Sequence, residues 1–200
     1  IVEGPGPFTS AMPSTGWGIS VIPDDAAPGP EPYPWQTIST PGEELDGVTI
    51  EGNEVRGTTG GGIWITGTHC LIRRNKVEAT QYTGVLLAPY GSKYGHDNLV
   101  AENDVKNSGI PILRLDDGIR MGTSATGNTI EANNVSGSSR DGIRAVSTAT
   151  GNTVHYNNIV GNTQFGVNNL ATINLDARFN WWGDASGPTH SSNLGGTGDR

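Results

Sequence analysis

The residues with the most chemical promise form a duplicated tetrapeptide, Asp117-Gly118-Ile119-Arg120 and Asp141-Gly142-Ile143-Arg144. Arg114, Asp116 and Arg140 lie close by in the chain. Carboxylates and guanidinium groups together can take up charged or polar ligands: arginine pairs with an anionic group, and carboxylates can hold a cation such as calcium. Asp117, Arg120, Asp141, Arg144 and Arg114 are therefore candidate substrate-binding residues, and Asp116, Asp117 and Asp141 candidate calcium ligands. Calcium is the one cofactor these residues suggest. A structural reading competes with this one. Stacked carboxylates and stacked guanidinium groups repel unless cross-paired, and a copied repeat copies its surface, so Asp and Arg are expected to satisfy each other and the turn amides.

Other chemistry is less well supplied. Tyr90 and Tyr94, in the segment 88–97, join Tyr82 as residues that could line a sugar groove or pin their own loop. His69, His96, His155 and His190 share no metal-ligand spacing. Cys70 falls in an inward-facing column, which suits a small core residue better than a nucleophile. "GTTGGG" (57–62) lacks the Lys and Ser/Thr of a phosphate loop. No carboxylate pair stands out as a glycosidase would require, so no catalytic residue is assigned.

What must position the tetrapeptides is a repeat. An asparagine follows an aliphatic residue by three positions at Asn53, Asn75, Asn103, Asn133, Asn157 and Asn180, at intervals of 22, 28, 30, 24 and 23 residues. A glycine followed by Ile or Val recurs at Gly62, Gly84, Gly118, Gly142 and Gly166. Each repeat holds short β-rich segments between Gly/Asn/Ser/Thr turns, and neither segment can bury its apolar side alone. Stacked coils solve this. Ile50, Ile72, Val100, Ile130 and Val154 make one internal column; Val55, Val77, Val105, Val135 and Ile159 a second; Ile63, Val85, Ile119, Ile143 and Val167 a third. The asparagines then form a coil-to-coil ladder of side-chain amides at the bend.

The same register aligns opposite charges on the outside: Glu54, Lys76 and Asp104 in one column, Arg56, Glu78 and Lys106 in the next, with Glu51 beside Arg73 and Arg74 beside Glu102. These read as lateral ladder pairs worth about 0.2–1 kcal/mol each. Trp64 and Leu86 continue the arginine column, so Trp64 joins the candidate binding residues. The predicted architecture is all-β: a single-stranded solenoid, a right-handed parallel β-helix of about six to seven coils. Residues 1–21 would be a partial first coil, 22–46 a proline-rich excursion, 47–174 the repeats and 175–200 a terminal coil, cap and tail. With segment 88–97 and an insertion around "SGIPIL", three loops are expected to overhang one side and make a groove. In the ending, Trp181 aligns with an outward column and Trp182 with the internal valine column, where an indole would plug the core.

Composition narrows the partners. A net charge of -8 and a pI near 4.8, with no local Lys/Arg cluster, oppose nucleic acid and anionic bilayers. No apolar run is long enough to span a membrane. The start "IVEGPGPF" has no initiator Met and no signal-peptide pattern, so a processed piece of a longer chain is expected, cut at both ends.

"GNTIEANNV...DGI" and "GNTVHYNNI...FGV" resemble the repeats of the pectin-lyase-like right-handed β-helix superfamily, particularly NosD-like secreted repeat proteins, and "NWWGDASGPTHSSN" (180–193) resembles a motif that closes many of them. The resemblance covers residues 47–193. It implies an extracellular, cell-surface or periplasmic location and a polysaccharide or surface glycan as partner. It leaves three functions open: a carbohydrate-binding surface module, a polysaccharide lyase, hydrolase or epimerase acting on an acidic glycan, and a passive structural or adhesin stalk.

Overall fold

The computed structural model describes residues 18–21, 45–88, 95–109 and 116–200. The proline-rich excursion, most of the partial first coil, the tip of segment 88–97 and most of the "SGIPIL" insertion lie outside them, as do Arg114, Tyr90 and Tyr94. The described residues contain strands and turns and no helix.

Among the described residues sixteen short strands form three parallel sheets that share one interior. The first sheet has six: β1 (Ile19–Val21), β4 (Ile63–Ile65), β7 (Val85–Leu87), β10 (Ile119–Met121), β13 (Asp141–Ala145) and β16 (Phe165–Asn169). The second has five: β2 (Thr49–Glu51), β5 (Leu71–Arg73), β8 (Leu99–Ala101), β11 (Thr129–Glu131) and β14 (Thr153–His155). The third also has five: β3 (Glu54–Arg56), β6 (Lys76–Glu78), β9 (Asp104–Lys106), β12 (Asn134–Ser136) and β15 (Asn158–Val160). Each strand pairs with its counterpart one coil away, which makes a parallel β-helix. Among the described residues about five full coils are present, against the six to seven expected. In the terminal coil, 175–182 contributes isolated bridges, at Asp176 and Trp181, instead of strands.

The three apolar columns pair in the predicted register, Ile50 with Ile72, Val77 with Val105 and Ile119 with Ile143 among them. Their side chains are buried apart from Val167 at the end of its column, which is partly buried. At roughly 1.5–3 kcal/mol per fully buried aliphatic side chain, these columns supply the main drive for stacking.

The asparagine ladder holds the bend between the second and third sheets. Asn103 donates from its backbone N and from Nδ2 to Asn133 Oδ1, at 3.0 and 2.9 Å, and also from Nδ2 to Ile72 O in the preceding coil at 2.8 Å. Asn133 repeats the pattern toward Asn157, and Asn157 toward Asn180. The residue before each ladder asparagine is left-handed: Gly52, Arg74, Glu102, Ala132, Tyr156 and Phe179 have φ between 53° and 67°. A left-handed residue followed by an amide that reaches both neighbouring coils turns the chain sharply without stranding a backbone group. A second ladder of Asn98, Asn128 and Asn152 does the same before the second sheet, and Cys70 N starts it by donating to Asn98 Oδ1 at 2.8 Å.

Part of the outward charge ladder pairs between coils, Arg73 with Glu51 at 2.9 Å, Arg74 with Glu102 at 2.8 Å and with Glu51 at 3.1 Å, and Arg56 with Glu78 at 3.8 Å, whereas Arg56 also binds Glu54 and Lys106 binds Asp104 within their own strands. At the far end, Trp182 packs partly buried against the core while Trp181 pairs with Asn158 and stays half-exposed. The tail then returns across the open coil. Asp199 accepts from Gly161 N, Asn162 N and Asn162 Nδ2 at 3.0–3.1 Å, and Arg200 O accepts from Gly166 N at 2.6 Å.

Replacing Asn133 by Ala removes the acceptor of the buried Asn103 N–H and one donor to the Val100 carbonyl. Asn133→Ala is expected to lower the unfolding free energy by about 2–3 kcal/mol in chemical denaturation; a loss under about 0.5 kcal/mol would mean that the bend is held by packing alone.

Candidate functional site

The outward face of the first sheet carries the predicted column in register: Trp64, Leu86, Arg120, Arg144 and, one coil further, Asn168. Successive members stand one strand spacing apart, about 4.8 Å. Trp64 Nε1 donates to Ala88 O at 3.2 Å, so its indole is anchored along the sheet. The structure thus brings Arg120 and Arg144 together and sets Trp64 two strands away.

The carboxylates lie beneath the arginines. Asp117 and Asp141 are fully buried and Asp116 is nearly so. Arg140 clamps Asp117 with two parallel bonds, Nε to Oδ1 at 2.8 Å and Nη2 to Oδ2 at 2.7 Å. Asp116 Oδ1 accepts from Thr83 Oγ1 at 2.5 Å and from Asp117 N at 3.1 Å. Arg144 holds Asp141 by one end only, Nη1 to Oδ2 at 2.9 Å, and Asn168 Nδ2 shares that oxygen at 2.9 Å. Arg120 is loosest, with Nε 3.9 Å from Asp117 Oδ2 and a side chain 32% exposed. Burial pushes the Asp117 carboxyl up while Arg140 pulls against it, and the bond to Asp117 raises Arg140 in turn. Asp and Arg therefore satisfy each other, between coils for Arg140 and Asp117 and within one coil for Arg144 and Asp141.

Calcium takes six to eight oxygens at about 2.3–2.6 Å. Among the described residues no group of His, Cys, Asp or Glu is arranged to hold a metal ion. Of the candidate calcium ligands, Asp117 and Asp141 have their carboxylates engaged by guanidinium groups, and Asp116 accepts from Thr83 and a backbone N–H. Cys70 is buried, and burial pushes its thiol up, which leaves it a poor nucleophile.

Two features escaped sequence reasoning. One is a groove of about 610 Å³ between β16 and the returning terminal segment, lined by Phe165, Asn168, Asn169, His190, Leu194 and Arg200. The Arg200 guanidinium lies 4.7 Å from the Phe165 ring centre. The groove adjoins the arginine column through Asn168, and segments far apart in sequence build it, so no local signal marks it. The other is a pair of exposed aromatic rings, Tyr156 and Phe179, stacked at 5.4 Å and 10° on successive coils. Both occupy the position before a ladder asparagine, and that spacing was the available signal. Beside them Asp176 is held well below the usual carboxylate range, first by a two-bond clamp from Arg178 at 2.8 and 2.7 Å and then by His155 Nε2 at 3.0 Å.

A family model described as right handed beta helix region matches residues 40–177. No curated protein and no solved structure matches the chain.

Arg140→Ala should cost about 3–5 kcal/mol in chemical denaturation, because it leaves Asp117 buried and unclamped, whereas Arg120→Ala should cost under about 1 kcal/mol. Equal effects would mean that the clamp is not what holds Asp117. The folded-state pKa of Asp176 lies below its unfolded value, so its contribution is full above that value, near pH 4, and fades as pH falls through the folded pKa. Asp176→Asn is accordingly expected to lower Tm at neutral pH, with the gap from wild type closing in acid; a gap constant with pH would assign the loss to packing.

Proposed function

We propose that the chain, which belongs to the right-handed β-helix family, serves as a module that binds a carbohydrate polymer along the outward face of its six-stranded sheet. The observation that carries this reading is the register of Arg120, Arg144 and Asn168, three donor-bearing side chains on successive strands beside the Phe165–Arg200 groove. A ladder of donors repeating every strand suits a ligand that itself repeats, and the two arginines are partly exposed. The motif likeness to secreted repeat proteins supports a location at the cell surface or outside the cell.

Support for catalysis is weaker. A general base must come within about 2.6–3.2 Å of the proton it removes. Asp116, Asp117 and Asp141 are buried and engaged by protein groups, so none is poised for a substrate.

The test is a glycan array with the intact chain and the Arg120→Ala/Arg144→Ala variant. Binding that weakens at least about tenfold, or 1.4 kcal/mol, in the variant is expected. Unchanged binding would remove the site from this face, and silence of the wild-type chain would favour a structural stalk.

A further inference from the structure

Resting on that carbohydrate-binding reading, we infer that the polymer is uncharged and is recognised through its hydroxyl groups at the Asp141–Arg144–Asn168 end of the face. Two independent observations lead there.

The first is charge. Among the described residues the face holds three carboxylates, Asp116, Asp117 and Asp141, against three guanidinium groups, Arg120, Arg140 and Arg144, all within one network of contacts between 2.7 and 4.0 Å. The positive charge that an acidic polymer needs is already balanced from below. The adjoining groove adds Asn168, Asn169 and Asn193, all uncharged, and its Arg200 follows Asp199 in the tail. The chain as a whole carries -8, which repels a polyanion at long range.

The second is an incomplete pair. Asp141 Oδ1 and Arg144 Nε are both buried and have no hydrogen-bond partner, although the two side chains touch through their other atoms. By contrast, both Asp117 oxygens and both facing nitrogens of Arg140 are matched. An acceptor and a donor left over on one ion pair are satisfied together by a hydroxyl, which donates to the carboxylate and accepts from the guanidinium. A ligand carboxylate has no proton to give Asp141 and is repelled by it. Both atoms are covered, so a ligand reaches them when Arg144, tethered through Nη1 alone, swings outward; Asn168 keeps Asp141 seated meanwhile. Phe165, in register with Asp141, sets an aromatic ring beside the pair, with the Arg200 guanidinium 4.7 Å from its centre.

The experiment is calorimetric titration of the intact chain with oligomers of neutral glucan, mannan, xylan and galactan and with oligogalacturonate. Each is titrated at low salt and at about 1 M, where the Debye length falls to roughly 3 Å. The expected result is binding of a neutral oligomer with an affinity that changes less than about twofold with salt, and an Asp141→Asn/Arg144→Gln variant, neutral as a pair, that folds but binds about tenfold more weakly because the charge-assisted bonds are gone. Binding restricted to oligogalacturonate and suppressed by salt would overturn this inference and leave the carbohydrate reading standing. A neutral oligomer bound equally well by the double variant would overturn the assignment to this pair. No binding of any oligomer would overturn the carbohydrate reading and this inference with it.

Discussion

The structure depends on satisfying backbone groups at a bend that recurs once per coil. A left-handed residue costs roughly 1–2 kcal/mol wherever it is not glycine, and Arg74, Glu102, Ala132, Tyr156 and Phe179 all carry that cost. The following asparagine offsets it by binding the coil before and the coil after at once, with each hydrogen bond contributing about 1 kcal/mol net. Because the amide needs a partner directly in line, the ladder also sets register. A slip of one residue would break the ladder and turn every apolar column outward together.

In-register stacking has a consequence for the outer face. Identical tetrapeptides put Asp over Asp and Arg over Arg, an arrangement that is stable only if the charges pair diagonally. Arg140 does so by reaching back one coil to Asp117, where it makes both of its bonds. The next repeat has Gln164 in the place of Arg140 and Phe165 in the place of Asp141, so the series of clamps stops. Asp141 is left to Arg144 and Asn168, with one oxygen unmatched. The end of a repeated network is thus where a surface copied for stability acquires spare hydrogen-bonding capacity, next to the groove that the tail completes.

The last coil poses the problem of every stacked β-structure, an exposed edge and an open core. Trp182 packs against the apolar columns, and Asp199 accepts from both the backbone and the side-chain amide of Asn162, as the oxygen of a ladder asparagine does for its neighbour. An acceptor alone suffices there, since the backbone and side-chain amides of Asn162 are donors. The tail that closes the edge also forms one wall of the groove, so capping and the groove share the same residues.

The three apolar columns, the first asparagine ladder, the Glu51–Arg73 and Arg74–Glu102 pairs and the Trp182 plug were legible in the sequence because each depends on residue type at a repeating offset, and stacking converts offset directly into neighbourhood. The second ladder was written in the same repeats, at Asn98, Asn128 and Asn152, but Val48 and Cys70 hold its first two places and hid the column. The terminal segment keeps the repeat's residues while its chain makes only single bridges, so the described coils are fewer than the repeats read from sequence. Sequence also determined that Asp117, Arg120, Asp141 and Arg144 share one face. Which arginine clamps which carboxylate, which atoms are left over, and that residues 189–200 fold back against β16 were decided only in three dimensions, because these depend on side-chain reach and on contacts between segments with no common period.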